Sequence, residues 1–170
     1  MKPQSWAFLL IWAGILLGTL VLMSRWQLVD YDPNGMLLDK EHSTGLAKKL
    51  AKLSDNNRST AIHITDSDCF CNLISQSHRQ QVSQLLKDYG YSNKSINLSD
   101  FDELRQWITA VPSIILFDAD SNLTFIGPYS TGLRCSAGKG LIESWLTSSI
   151  DTQGLGPTVI SEAKGCYCPA

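Results

Sequence analysis

Two cysteines separated by a single residue, Cys69 and Cys71, constrain this chain more than any other feature. They follow a strand-like apolar run over residues 59–65 and precede a helical pattern, so they lie at a strand-to-helix junction. A pair of thiols at such a junction is placed for redox or metal chemistry. Most of the sequence that follows can therefore be interpreted as the scaffold and the partners of this pair.

Length and composition limit the classes of protein to consider. The chain has 170 residues, which is enough for one domain with a core and an appendage. Its net charge of −2 gives no basic surface, which argues against nucleic acid as a partner. Five cysteines are many for a reduced cytosolic protein, and the odd count leaves at least one unpaired within the chain.

An uncharged segment near the N-terminus, Trp6–Met23, is interpreted as a membrane anchor. As a helix it would span about 27 Å, close to the ~30 Å thickness of the hydrocarbon core. Trp6 and Trp26 lie at its two ends, as interfacial anchors do. A cleaved signal peptide would need a shorter apolar core and a small-x-small site, and no Ala-x-Ala pattern occurs near Ser24. We therefore predict a single-pass anchor over residues 1–26.

The orientation of this anchor is expected to follow the cysteines more than the charges. Lys2 and Arg25 flank opposite ends, so the positive-inside count is nearly balanced. The cysteines favour a C-terminal domain in an oxidising space such as a periplasm. Gly14 and Gly18 form a Gly-x-x-x-Gly face that could pair two anchors in a homodimer, although glycine is common in membrane helices in general.

Hydrophobic periodicity predicts alternating helices and strands after the anchor. Residues 27–43 are interpreted as a juxtamembrane linker, residues 44–150 as one domain, and residues 151–170 as a tail with a second Cys-x-Cys pair. The predicted elements are a helix over 44–53, a strand over 59–65, a helix from the cysteines to residue 89, a strand over 95–98, a helix to about residue 108, a strand over 111–118, a hairpin strand over 123–127 and a helix over 139–150.

This order of elements resembles the thioredoxin superfamily. Three features carry the resemblance: the dithiol at the strand-to-helix junction, Val111-Pro112-Ser113 at the start of the third strand, and the hairpin followed by a final helix. The resemblance covers residues 37–150 and implies an α/β, thioredoxin-like fold in which helices flank a central mixed sheet. The anchor with two Cys-aromatic-Cys pairs is also similar to a group of membrane-anchored, thioredoxin-like bacterial proteins of unassigned function.

The resemblance implies roles for individual residues. Cys69 matches the attacking cysteine of the superfamily and Cys71 the resolving one. Pro112 matches the cis-proline that lies against the dithiol and presents backbone to a substrate strand. His63, six residues before Cys69, occupies the spacing at which thioredoxins hold a buried acid that moves protons to and from the resolving thiol. An imidazole could do this near neutral pH, although a lone histidine on a strand is also a common hydrogen-bonded core residue.

The spacing of the dithiol departs from the superfamily, whose motif has two residues between the cysteines. Here only Phe70 separates them. Cα atoms two residues apart in a helical turn are roughly 5.5 Å apart, so a Cys69–Cys71 disulfide is possible. Its small ring is expected to be strained. Strain would raise the reduction potential and favour an oxidant or an isomerase over a strong reductant.

The remaining cysteines leave several interpretations open. Cys166 and Cys168 repeat the format of the first pair and could form a relay dithiol, complete a four-thiol site for copper or zinc, or cross-link the tail to the domain. One-residue spacing weakens the zinc interpretation more than the copper one. Cys135, in the loop after the hairpin, is either a third redox partner or a free or tail-paired cysteine.

The leading functional hypothesis is thiol–disulfide exchange on the cysteines of another protein, which needs no cofactor. The first alternative is a soft-metal binding module that uses all four Cys-x-Cys thiols. The second is a thioredoxin-derived interaction domain without turnover, in which the disulfides only stabilise the fold.

Overall fold

The structure, a computed structural model, describes residues 3–26, 28–54, 57–132, 140–148 and 156–170. Its helices are α1 (Pro3–Trp26), α2 (Lys40–Ala51), α3 (Phe70–Ile74), α4 (Gln76–Asp88) and α5 (Leu141–Ser148). Its strands are β1 (Val29–Asp30), β2 (Thr60–Thr65), β3 (Ser92–Asn97), β4 (Ala110–Val111), β5 (Ser113–Phe117), β6 (Leu123–Pro128), β7 (Thr158–Val159), β8 (Lys164–Gly165) and β9 (Cys168–Pro169). Short 3₁₀ helices cover Met36–Leu38, Leu98–Asp100 and Asp102–Trp107.

The predicted anchor is a single helix, α1, which is long and apolar enough to cross a membrane. Its 18-residue apolar window, Trp6–Met23, is not buried against the rest of the chain. By its length and composition the helix has the capacity to span a bilayer.

A five-stranded mixed sheet forms the centre of the fold, in the order β3-β2-β5-β6-β7. Strand β2 is parallel to β3 and antiparallel to β5, β6 is antiparallel to β5, and β7 is parallel to β6. All five side chains of β5 are buried, because helices cover both faces of the sheet. The prediction of a central mixed sheet flanked by helices is confirmed.

The two faces of the sheet bury separate apolar clusters. Ile62 and Ile64 of β2 point to the face covered by α2, where Leu46 and Leu50 are buried. Ala61 of β2 points to the opposite face, which α4 and α5 cover. This alternation follows from the period of two in a strand, and it places the cysteines at the end of β2 with the first cluster.

The helix predicted from the cysteines to residue 89 is instead two helices, α3 and α4, which meet at Ser75. His78, Val82 and Leu86 are the buried residues of α4, at the four-residue spacing of one helix face. Ile74 belongs to α3 and is 45% exposed, so it does not continue that face. The helix predicted up to about residue 108 consists of 3₁₀ turns.

The segment predicted as a juxtamembrane linker packs against the tail and is part of the folded unit. Strand β1 pairs antiparallel with β8, and the Tyr31 N–H donates to the Ala163 carbonyl at 2.8 Å. The Asp32 carboxylate accepts from the Leu37 N–H at 2.9 Å and from the Ser161 hydroxyl at 3.1 Å. Both segments that flank residues 44–150 therefore contribute to the packing of that domain.

Candidate functional site

Two disulfides join the Cys-x-Cys pair after β2 to the pair in the tail. Cys69 is bonded to Cys168 and Cys71 to Cys166, with Cα separations of 5.8 and 5.5 Å. The Cys69–Cys71 bond that the spacing permits is therefore not the one present, because the tail brings a partner to each cysteine. This pairing agrees with two of the interpretations of the tail cysteines, a relay dithiol and a structural cross-link.

The tail reaches the site by forming β9 against β4, with Cys168 opposite Val111. The Ala170 N–H donates to the Thr109 carbonyl at 3.3 Å. Thr109 and Ala170 are thus a hydrogen-bonded pair. Because hydrogen-bonded and non-hydrogen-bonded pairs alternate along an antiparallel ladder, Val111 and Cys168 form the next hydrogen-bonded pair. Pro169 lies between these two pairs, at a position where the ladder uses no N–H donor. Proline, which lacks an N–H, therefore costs no hydrogen bond there.

Tyr167, between the two tail cysteines, fixes the tail to the domain. Its hydroxyl donates to the Ser130 carbonyl at 2.6 Å, and its buried ring meets the edge of the Tyr31 ring at a centroid distance of 5.3 Å. The ring also lies close to the backbone of Gly165, where a Cβ would come within 2.6 Å of the ring. A glycine is therefore needed there for the ring to dock.

The Val111–Pro112 peptide bond beside the disulfides is cis, as the resemblance implied for Pro112. Cys69 Sγ lies 3.7 Å from the Val111 carbonyl oxygen. A disulfide sulfur has no proton, so this is a packing contact, and a reduced Cys69 thiol could donate to the same oxygen. The cavity beside Pro112 measures about 10 Å³, which is room for about one water and not for a substrate side chain. The tail thus fills this side of the site.

The four bonded cysteines differ in their exposure to solvent. Cys69 and Cys71 are buried, at 5% and 9% exposure, whereas Cys166 and Cys168 are half-buried. Phe70, between the first two cysteines, is 73% exposed. Cys69 is therefore shielded from solvent in the disulfide-bonded state.

Asp66 holds the loop that leads into Cys69, a role that the sequence did not reveal. Its carboxylate accepts from the Ser99 hydroxyl at 2.7 Å and from the Asp68 N–H at 3.2 Å, and it pairs with Arg105 at 2.8 Å. Burial raises the pKa of Asp66, but these hydrogen bonds and the guanidinium outweigh it, so the pKa lies below its usual value. Arg105 is 39 residues away, so no local sequence pattern points to the pair.

Replacing Asp66 with asparagine is expected to lower the free energy of unfolding at pH 7 by about 2 kcal/mol, because it leaves Arg105 without its buried partner. A carboxyl whose folded pKa is depressed stabilises the fold above its unfolded pKa. That contribution disappears as the pH falls below about 4 through the folded value. Urea unfolding of the chain in detergent at pH 7 and pH 3 measures the difference. A deficit of equal size at both pH values would contradict this account.

His63 lies in a buried polar network rather than against the cysteines. Its Nδ1 is hydrogen-bonded to the Tyr129 hydroxyl, and its Nε2 lies 2.6 Å from Asn93 Oδ1 and 3.2 Å from Ser83 Oγ. Asn93 Nδ2 donates to the Ser83 carbonyl at 3.1 Å, which directs Oδ1 towards His63 and assigns the proton to Nε2. Burial lowers the pKa of His63, so the imidazole is neutral at pH 7. No hydrogen bond among the described residues joins it to a cysteine.

The other predicted site residues have different outcomes. Cys135 lies in residues 133–139, outside the described part of the chain. The sulfur atoms of Cys69, Cys71 and Cys168 are within 4.8 Å of one another, so the reduced thiolates could share one soft metal ion. Gly14 and Gly18 lie on an open side of α1, and their homodimer stays a prediction.

Comparison with known proteins identifies a family. No curated protein matches the chain significantly. A hypothetical protein from Sinorhizobium meliloti 1021 is 13% identical, with a TM-score of 0.43 over 67% of this chain and 79% of the other. An uncharacterized conserved protein from Geobacillus kaustophilus is 14% identical, with a TM-score of 0.40 over 66% of this chain and 76% of the other. At these TM-scores and identities, we draw no conclusion about this chain from the two structures.

A family model matches residues 39–170, a range that contains both disulfides and the cis-proline. The match extends over most of the folded part and leaves out α1. The chain therefore belongs to the family described as a domain of unknown function, DUF6436.

Proposed function

We propose that this protein is a membrane-anchored thiol–disulfide exchange protein that acts on cysteines of other proteins outside the cytoplasm, in an oxidising space such as a periplasm. The observation that carries the proposal is the disulfide between Cys69, at the end of β2, and Cys168, beside the cis-proline Pro112. The β3-β2-β5-β6 order, with the dithiol after β2 and the cis-proline before β5, supports a thioredoxin-like fold.

The proposed reaction uses Cys168 rather than Cys71 to resolve the intermediate, since Cys71 is already bonded to Cys166. In the direction that reduces a partner, the Cys69 thiolate attacks a partner disulfide and expels one partner thiolate. The Cys168 thiolate then attacks Cys69 Sγ, forms the Cys69–Cys168 bond and releases the second partner thiolate. One electron pair passes to the partner, and the protons of the two thiols finish on the two partner sulfurs. The oxidation of a partner dithiol follows the same steps in reverse.

The contacts of the tail suggest different roles for the two disulfides. The Cys166 N–H donates to the Gly132 carbonyl at 3.2 Å, and Tyr167 is buried immediately after it. Beyond Tyr167, two-residue β9 and the bond from Ala170 to Thr109 hold the chain. We infer that the Cys69–Cys168 bridge exchanges and that the Cys71–Cys166 bridge keeps the tail in place.

The variant Cys168→Ser tests this mechanism, because it removes the resolving thiol and leaves Cys69 free. After incubation with oxidised glutathione, the variant is expected to keep one glutathione on Cys69, whereas the reduced native chain forms the Cys69–Cys168 bond and releases it. Mass spectrometry of alkylated peptides separates Cys69 from Cys135. The double variant Cys69→Ser/Cys168→Ser is the matched control and should carry no adduct at residue 69.

Two results would contradict the assigned roles. One is an equal yield of the Cys69 adduct in the native chain and in the Cys168→Ser variant. The other is an adduct that forms faster on Cys168 in a Cys69→Ser variant than on Cys69 in the Cys168→Ser variant, which would make the tail cysteine the attacking residue.

The distance of 4.8 Å or less among the three sulfurs favours soft-metal binding as a second candidate function. Thiolates, not disulfides, are metal ligands, so this function would need the fully reduced chain. One copper(I) ion bound per reduced chain, and released when the disulfides re-form, would favour metal binding over exchange.

A further inference from the structure

The fold attaches the disulfide site almost directly to the end of the membrane helix. Trp26 is the last residue of α1 and Val29 the first of β1, so only residues 27 and 28 connect them. Val29 pairs with Gly165, and Asp30 pairs with Lys164, whose ammonium group lies 3.1 Å from the Asp30 carboxylate. The next residue after Gly165 in the tail is Cys166.

The β1–β8 pairing sets an upper limit on the distance between Cys166 and the end of α1. Three residue steps from Trp26 to Val29 span at most about 11 Å. Paired Cα atoms in antiparallel strands are about 5 Å apart, and one further step of about 3.8 Å leads to Cys166. The Cys166 Cα therefore lies within about 20 Å of the end of α1. The Cα of Cys71 is 5.5 Å from that of Cys166. Cys69 and Cys168 are each two residue steps, at most about 7 Å, from these two cysteines, so all four lie within about 33 Å of the end of α1.

A flexible linker over residues 27–43 would have let the disulfide site move much farther from the end of α1. Seventeen extended residues reach up to roughly 60 Å, so a domain on such a linker could meet partners far above the bilayer. The packing of β1 on β8, and of Tyr31 on Tyr167, removes that reach. Both disulfides are thus held within about 33 Å of the end of α1, about half the distance that a flexible linker would allow.

We propose that the physiological partners of this site are integral membrane proteins whose reactive cysteines lie close to the bilayer surface. The inference rests on the exchange function and on α1 spanning the membrane. Two proteins confined to one membrane meet at a raised effective concentration, but only where their reacting groups occupy the same layer. Cysteines held several tens of ångströms above the surface fall outside the layer that this chain can reach.

The test compares the rates of reaction with partner cysteines placed at two known distances from the membrane. The oxidised full chain is reconstituted in phosphatidylcholine vesicles with a single-span peptide that carries a pair of reduced cysteines, which the Cys69–Cys168 bridge can oxidise to a disulfide. The pair stands either two residues from the apolar span or beyond twenty prolines, which extend about 62 Å at 3.1 Å per residue. A variant with forty glycine and serine residues inserted between Gln27 and Leu28 keeps the β1–β8 pairing and adds about 35 Å of average reach.

The initial rate of disulfide formation within the peptide is expected to be about tenfold higher for the near pair of cysteines than for the far one. The insertion variant should reduce that ratio to less than about threefold, because its site samples a much thicker layer. Equal rates with both peptides, or a faster rate with a soluble peptide that carries the same pair at the same thiol concentration, would overturn the inference and leave the exchange function intact. No reaction with any of the three peptides would overturn the exchange function and this inference with it.

Discussion

Replacing all four disulfide cysteines with alanine is expected to lower the free energy of unfolding by roughly 7 kcal/mol, whereas replacing either bonded pair alone is expected to cost only about 2 kcal/mol. Each bridge alone would close a long loop, since the bonded cysteines are 99 and 95 residues apart. The first bridge to form therefore removes about 4.7 kcal/mol of unfolded-chain entropy. With one bridge in place, the second closes a ring of only six residues, 69–71 and 166–168, and adds about 2 kcal/mol.

Either bridge alone thus supplies most of the stabilisation, which suits a disulfide that exchanges. Cys69–Cys168 can open while Cys71–Cys166 still closes the long loop and keeps the unfolded chain restricted. Urea unfolding of the native chain, of each two-cysteine variant and of the four-cysteine variant in detergent measures the three costs. The cost of replacing all four cysteines is expected to exceed the sum of the two pair costs by about 3 kcal/mol. Costs that simply add would show that the two bridges act on independent parts of the fold.

Replacing Tyr167 with alanine is expected to abolish the difference between the two bridges. In the native chain, a limiting amount of a phosphine reductant should open Cys69–Cys168 at least about tenfold faster than Cys71–Cys166, because only the short β9 covers the first. Without the Tyr167 ring, the tail loses its contact with Tyr31 and its bond to the Ser130 carbonyl, so the whole segment opens together. Truncating a buried aromatic side chain costs about 3–5 kcal/mol, which is enough to undock a tail of this size.

Timed alkylation followed by peptide mapping measures which cysteines become free first. The conservative variant Tyr167→Phe is the control, because it keeps the ring and loses only the hydroxyl, and it should retain most of the selectivity. If the alanine variant still opened Cys69–Cys168 first by the native margin, the buried tyrosine would not be what fastens Cys166.

Local sequence patterns were sufficient to predict the parts of this fold that depend on neighbouring residues. The apolar run over residues 59–65 predicted a strand, and the structure has β2 at Thr60–Thr65. The apolar run over residues 111–118 predicted a buried strand, and the resemblance to the thioredoxin superfamily implied that Pro112 lies against the dithiol. Such features are visible in sequence because the period of a strand and the chemistry of proline act over a few residues.

The parts that sequence did not predict depend on contacts between distant residues. Four cysteines allow three pairings, and spacing alone does not choose among them. The pairing follows from β8 and β9, which are too short to show a hydrophobic period. The ion pair of Asp66 with Arg105 likewise has no local signature. His63 was correctly placed on its strand, but its hydrogen bonds depend on Tyr129, Asn93 and Ser83 from three other parts of the chain.

A redox titration of the full chain in detergent, equilibrated in glutathione buffers and mapped by alkylation and mass spectrometry, tests the exchange function directly. Cys69–Cys168 is expected to open reversibly as a two-electron couple above about −250 mV, in the range of known oxidoreductases, while Cys71–Cys166 opens at a lower potential. If both bridges instead remain closed below about −300 mV, they are structural cross-links, and the exchange function is wrong.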